Sequence, residues 1–233
     1  MKLIKQLSTA AILSTAVVVQ AADLDITVTN LTQGLHFTPL IVGVHDESAS
    51  LFEVGGTATM ELQMMAEGGE IGGLETQLRN AGADTVANPA KGLLAPATSA
   101  EFSILDTKAG NDYLSIAAML LPTNDGFVGL SNWKIPAVRG TYTIYLNAYD
   151  AGTEANDEIV NGGGAAGTPG IPAAPGGNAG SNGTGVVSSE DNMHIHIHRG
   201  VIGDTDSSGG ASDLDSRIHR WLNPVAKVTV IVR

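Results

Sequence analysis

Residues 113–149 read YLSIAAMLLPTNDGFVGLSNWKIPAVRGTYTIYLNAY, and this stretch decides the fold. Tyr113 to Leu121 is an apolar run bounded by Pro122. Gly126 to Leu130 is a second short apolar segment, and Thr141 to Tyr149 alternates Thr and Tyr with apolar residues. Runs of this length, rich in β-branched and aromatic side chains and separated by Pro, Asn, Asp and Gly, are strands joined by turns. Working outward, Leu24 to Leu31 (LDITVTNL) alternates cleanly, Leu35 to Val44 carries Pro39 as a bulge or edge point, and Ala100 to Asp106 is a further strand. Asn192 to His198 and Val225 to Val232 complete the series. Only Thr57 to Asn80 has another texture. Its Met and Leu residues fall at three- and four-residue spacings split by Gly68-Gly69, which predicts two short helices. Residues 82–98 read as a loop. The expected fold is an all-β, antiparallel β-sandwich of about eight strands with short inserted helices.

The chain has 233 residues, 43% hydrophobic and 15% charged, enough for one substantial domain with a core. The first 21 residues form an exported leader by their pattern: Lys2 and Lys5, then an aliphatic run, then Val19-Gln20-Ala21 with small side chains where a signal peptidase needs them. Cleavage after Ala21 leaves 10 basic and 24 acidic side chains, a formal charge of −14. No later stretch approaches 18 apolar residues, so no transmembrane segment is expected and the product is periplasmic or extracellular. Such an acidic chain does not bind nucleic acid by neutralising phosphates. With no cysteine, disulfides and thiolate metal sites are excluded, and bound cations are the natural way to stiffen the loops. The domain is expected to occupy residues 22–233, with Asn161 to Gly185 (ten Gly, three Pro, no charge) as a flexible loop.

Three clusters could carry chemistry. The first pairs LPTNDGFVGL (121–130) with YDAGTEANDE (149–158). Each sets carboxylates just past an apolar strand, and Asp150, Glu154, Asp157 and Glu158 have no basic neighbour. Clustered hard oxygens of this kind suit Ca²⁺, the alternative being a solvated acidic loop. These two segments, with weaker similarity over LHFTPLIVGVHD, MELQMMAEGG and NPVAKVTV, resemble the spondin N-terminal domain family, whose usual forms are Pro-Ser-Pro-Asp-Trp-Phe-Val-Gly and Asp-Ala-Gly-Thr-Asp. The resemblance implies a secreted matrix or adhesion domain, a β-sandwich similar to calcium-dependent phospholipid-binding modules, and a calcium ion held by Asp125, Asp150 and Glu154. Gly126 stands where the family has Trp, and Glu154 where it has the second Asp.

The second cluster is Asp204 to Asp215, where Asp204, Asp206, Ser208 and Asp215 occupy positions 1, 3, 5 and 12 of a calcium loop, without its Glu and without a preceding helix. A solvated Ser/Gly-rich turn is the alternative. The third is MHIHIHR, which in a regular strand sets His194, His196 and His198 on one face, an alternative Cu²⁺ or Zn²⁺ site with His45 or His219 as further ligands. Met60 to Met65 reads as core filling. There is no Gly-x-Ser-x-Gly elbow, His-Glu-x-x-His, phosphate-binding loop or dinucleotide fingerprint, so the chain is expected not to be an enzyme. The functional expectation is a secreted calcium-binding adhesion module recognising an extracellular protein or glycan, with a periplasmic copper or zinc binder as its rival.

Overall fold

The computed structural model describes residues 22–233; the leader read at residues 1–21 lies outside the described residues. In chain order the elements are β1 (Leu24–Asn30), β2 (His36–Phe37), β3 (Ile41–His45), α1 (Met60–Gly68), α2 (Gly72–Asn80), β4 (Asp84–Ala87), β5 (Ser99–Ile104), β6 (Tyr113–Leu121), β7 (Gly126–Lys134), β8 (Gly140–Asp150), β9 (His196–Ile197) and β10 (Ala226–Val232). The fold is all-β, with two inserted helices. One antiparallel sheet runs β4-β3-β6-β7-β8-β10-β1-β5, with β2 added to β6 and β9 to β8. Its end strands β4 and β5 touch, so the sheet folds over and nearly closes.

The main core lies inside this fold. Val42, Ile116 and Val128 come from one half of the sheet and Ile26, Leu146 and Val228 from the other. β1 shows how the sequence enforces this: its strict alternation buries Leu24, Ile26 and Val28 and leaves Asp25, Thr27 and Thr29 half-exposed. β6 is buried on both faces from Leu114 to Leu121, which is why it reads as an unbroken apolar run. Its second face meets the helices. Leu62 and Met65 of α1 and Leu74 and Leu78 of α2 pack on Ala117, Met119 and Phe127. Burying side chains of this size contributes about 1.5–3 kcal/mol each. α1 begins at a Thr59 cap, whose hydroxyl accepts from the Leu62 amide. It ends at Gly69, whose φ of 73° few other residues adopt without strain.

Two strand readings change. The segment Leu35 to Val44 is two strands, β2 and β3, pairing β6 at different rungs. β4 lies inside residues 82–98, which read as loop; the antiparallel pairing of Val42 with Val86 makes it a strand.

The segment from Ala151 to Pro224 carries the long loops, and carboxylates anchor much of it. Glu67, fully buried on α1, accepts the Gly167 amide at 2.6 Å. Asp213 accepts from Val160 and Gly183, and Glu158 from Gly203 and the Ser212 hydroxyl. Composition predicts a flexible loop over 161–185, yet Ile171 within it is fully buried and packs with Val201 and Leu214 in a small third core. The composition argument omits the anchors that other parts of the chain supply.

Candidate functional site

β7 starts at Gly126 and β8 ends at Asp150, and these two residues are partners on one rung of the ladder. The Asp125 carbonyl accepts the Ala151 amide at 3.3 Å, so Asp125 and Asp150 flank the same end of the same strand pair. Both are buried, at 0% and 1% exposure.

Their oxygens are used unequally. Asp125 Oδ2 accepts the Thr153 amide at 2.8 Å, the Thr153 hydroxyl at 3.1 Å and the Glu154 amide at 3.4 Å. Asp125 Oδ1 is buried with no partner. Asp150 Oδ1 accepts from the Gly152 amide at 2.9 Å, and Oδ2 from the Asn156 side chain at 2.8 Å. Glu154 repeats the Asp125 pattern: Oε2 accepts the Gly170 amide at 3.0 Å, and Oε1 is buried and unpartnered.

This arrangement penalises negative charge. Burial pushes the Asp125 carboxyl up to about 7, with repulsion from Asp150 adding to it. Burial likewise pushes Glu154 up to about 8, joined by repulsion from Asp125, Glu67 and Asp157. The nearest cationic candidate is His196, whose Nε2 lies 3.8 Å from Asp150 Oδ2.

The three histidines diverge. His194 is exposed, His196 half-buried and His198 buried against Trp221, with ring centroids 4.9 Å apart. Only His196 and Ile197 are strand, because Ile195 turns into the helix-covered core and exchanges backbone hydrogen bonds with Gly55 and Gly56. The regular strand that would align the three rings is therefore not formed. His198 Nδ1 accepts the Gly200 amide at 3.0 Å, so the neutral ring carries its proton on Nε2, which is buried and unpartnered. Of the possible further ligands, His45 is engaged at both nitrogens, by the Asp46 carbonyl and the Ser115 hydroxyl. His219 Nδ1 accepts the Asp215 amide.

In the Asp204–Asp215 loop the carboxylates already have partners. Asp204 accepts the amides of Asp206, Ala211 and Ser212, and Asp206 that of Ser208. Asp215 pairs with Arg217 at 2.6 Å, and that guanidinium with the Arg217 amide holds its carboxyl down at about 2.

Sequence reasoning missed Asn156, Thr153 and Gly170. Thr153 and Asn156 lie in the same YDAGTEAND stretch as Asp150, so their nearness was available; Gly170 reaches Glu154 only through the loop's path. Glu190, within 3.4 Å of the Asn156 amide, has no local signal at all.

A cation fits the residues present, because two buried carboxylate oxygens, on Asp125 and Glu154, have no donor. Among the described residues no group of three His, Cys, Asp or Glu side chains is arranged to hold a metal ion. A calcium shell here would thus draw on main-chain or amide oxygens beside the carboxylates, as Ca²⁺ readily does.

The fold and site define an all-β, antiparallel domain with buried carboxylates gathered where two central strands end. A family model described as Spondin_N matches residues 29–159, more than half of the chain, spanning Asp125, Asp150 and Glu154. The chain belongs to that family, the spondin N-terminal domains. A search of the curated proteins found no match. Among the described residues no helix is long and apolar enough to cross a membrane.

Proposed function

We propose that this protein is an exported, calcium-binding adhesion or matrix-type module that recognises an extracellular protein or glycan and performs no chemistry. The observation that carries the reading is the pair of buried carboxylates at one end of the β7–β8 pair, with an unpartnered oxygen on Asp125 and another on the neighbouring Glu154. Asp125 and Asp150 would hold the ion, with Glu154 and main-chain oxygens completing the shell. The ion would tie the start of β7, the end of β8 and the loop after it into one rigid end. Export is supported by the leader pattern and by the family, and the non-catalytic role by the lack of any catalytic motif in the sequence.

The test is metal analysis of the purified protein followed by thermal unfolding with and without calcium. Calcium retained through dialysis, and a calcium-dependent rise in Tm that shrinks in Asp150→Asn, is the expected result. An equal rise in both proteins counts against the site. Stoichiometric copper or zinc, lost on replacing His196, would put the histidine reading in its place.

A further inference from the structure

The helices cover the outer face of β3, β6 and β7 but stop short of β8. There Tyr145, Asn147 and Tyr149 alternate outward, while Leu146 and Ala148 point into the core. Between these outward residues and the Phe52–Val54 segment runs a groove of about 570 Å³. This size falls within the range of small-ligand sites.

Its walls are built. Gly129 forms part of the floor, and a Cβ there would stand 2.6 Å from Phe52 Cζ, so the Phe52 ring lies directly against bare backbone. Phe52 in turn packs at 5.1 Å on Tyr149 and edge-on at 5.0 Å on Phe127, which fixes the aromatic wall. Tyr145 is held at the rim with 61% of its surface exposed. On the β7 side the strand bulges: Ser115 of β6 has no rung partner there, and its hydroxyl accepts the Asn132 amide at 3.0 Å. Asn132 takes φ of 53°, a left-handed conformation that Asn tolerates better than most residues. Bulges and such backbone outliers recur where a side chain is re-aimed for function.

The chemistry of the lining selects the occupant. The groove offers aromatic faces, amides from Asn132 and Asn147 and the Tyr145 hydroxyl, while the Ser131 hydroxyl is donated to the Phe52 carbonyl, and among the described residues no Lys or Arg lines it. Its one charged side chain, Glu53, repels anions. A phosphate, sulfate or acidic peptide therefore has no counter-charge. β7 and β8 pair only over Gly126–Gly129 and Asn147–Asp150 and part beside the groove, so a neutral peptide strand is the competing occupant and an arm of the test. The aromatic faces and side-chain amides of the lining favour an uncharged ligand with one apolar face and many hydroxyls. We propose that this groove binds a neutral oligosaccharide, with a sugar ring laid against Tyr145 and hydroxyl pairs taken by the Asn132 and Asn147 amides. This names the partner class of the binding module and rests on that reading.

The test is an NMR titration of the full mature chain with cellotriose, maltotriose and triacetylchitotriose, each to about 10 mM, in calcium and again in chelator. At least one trisaccharide should shift the amides of residues 129–132 and 145–149. Tyr145→Ala and Asn147→Ala should each weaken binding about tenfold with Tm unchanged, because both side chains lie outside the core. The proposal is overturned if no trisaccharide binds, if binding survives both substitutions, or if neutral casein peptides bind and no sugar does. The two readings fail separately. Sugar binding absent while calcium still raises Tm removes the groove alone, and sugar binding present with no response to calcium removes the metal alone.

Discussion

Asp125→Asn separates a carboxylate kept for a cation from one kept for the fold. Asn preserves the shape and leaves an oxygen to accept from the Thr153 amide, but it removes the buried charge. Burial and the neighbouring Asp150 raise the wild-type carboxyl from 3.8 to about 7. At 1.36 kcal/mol per pH unit that difference corresponds to a ceiling of about 4 kcal/mol, part of which belongs to Asp150. The sign follows from linkage: the folded state holds this proton more tightly than the unfolded chain does. Below pH 3.8 the group costs the fold nothing; the penalty grows as pH rises and is complete above about 7. In chelator at pH 8 the Asn variant should therefore be more stable than wild type, by about 1–4 kcal/mol in urea unfolding. Near pH 4 the two should coincide. Saturating calcium should reverse the pH 8 order, since wild type gains from the ion and the variant gains less. A variant that is less stable in chelator at pH 8 would show that the hydrogen bonds to Thr153 and Glu154 outweigh the buried charge. An undiminished calcium gain would remove Asp125 from the shell.

His198 is buried as a neutral ring, its pKa pushed down to about 4 by burial and by Arg199 against the pull of Asp150. The resulting stability is complete above pH 6.5 and is lost as pH falls towards about 4, a change of about 3 kcal/mol at most. Urea unfolding across this window should show the loss, and His198→Gln should flatten it; an unchanged slope would place the acid sensitivity elsewhere. Ile171→Ala should cost about 2–4 kcal/mol and speed amide exchange at Gly162 and Ile171, because it empties the third core. A cost under about 0.5 kcal/mol would return the segment to the flexible loop that its composition suggests. Gly129→Ala should cost about 1–3 kcal/mol by forcing the Phe52 ring off the strand, read by thermal unfolding; no change in Tm would mean the ring moves freely.

The elements legible in the sequence are those whose pattern is local. Tyr113–Leu121 was bounded correctly at both ends because an apolar run meets Pro122. The helices divided where Gly68-Gly69 placed the break, since a left-handed cap needs such a residue. β4 was not legible. Asp84–Ala87 is half-buried along its length and carries no alternation, and only its partner β3 makes it strand. The histidine stretch failed as a regular strand for a similar reason. Ile195 bonds to Gly55 and Gly56, while His196, Ile197 and His198 bond to β8, the last through the Ala148 carbonyl, so two separate neighbours divide four residues. In the candidate site the sequence showed only that Asp125 and Asp150 each stand just past an apolar strand; that the two strands are neighbours, with Gly126 opposite Asp150, comes from the pairing. The hold of Gly170 on Glu154 was not legible either, because no spacing rule returns a loop to a side chain 16 residues earlier.

An excess of acidic side chains in a chain without disulfides invited one explanation, bound cations stiffening the loops. The structure separates two jobs for those acids. Glu67, Glu158, Asp204 and Asp213 take backbone amides on both oxygens or an amide with a polar side chain, which satisfies loop donors that have no strand to pair with. These staple the loops without any ion. Asp125 and Glu154 each keep one buried oxygen with no donor. Leaving a buried carboxylate oxygen unpaired is costly, and burial raises both groups towards protonation. Acidity alone therefore does not mark a cation site in this fold. The unpaired oxygens of Asp125 and Glu154 are what the proposed cation would meet, and Asp125 lies where β7 begins and β8 ends.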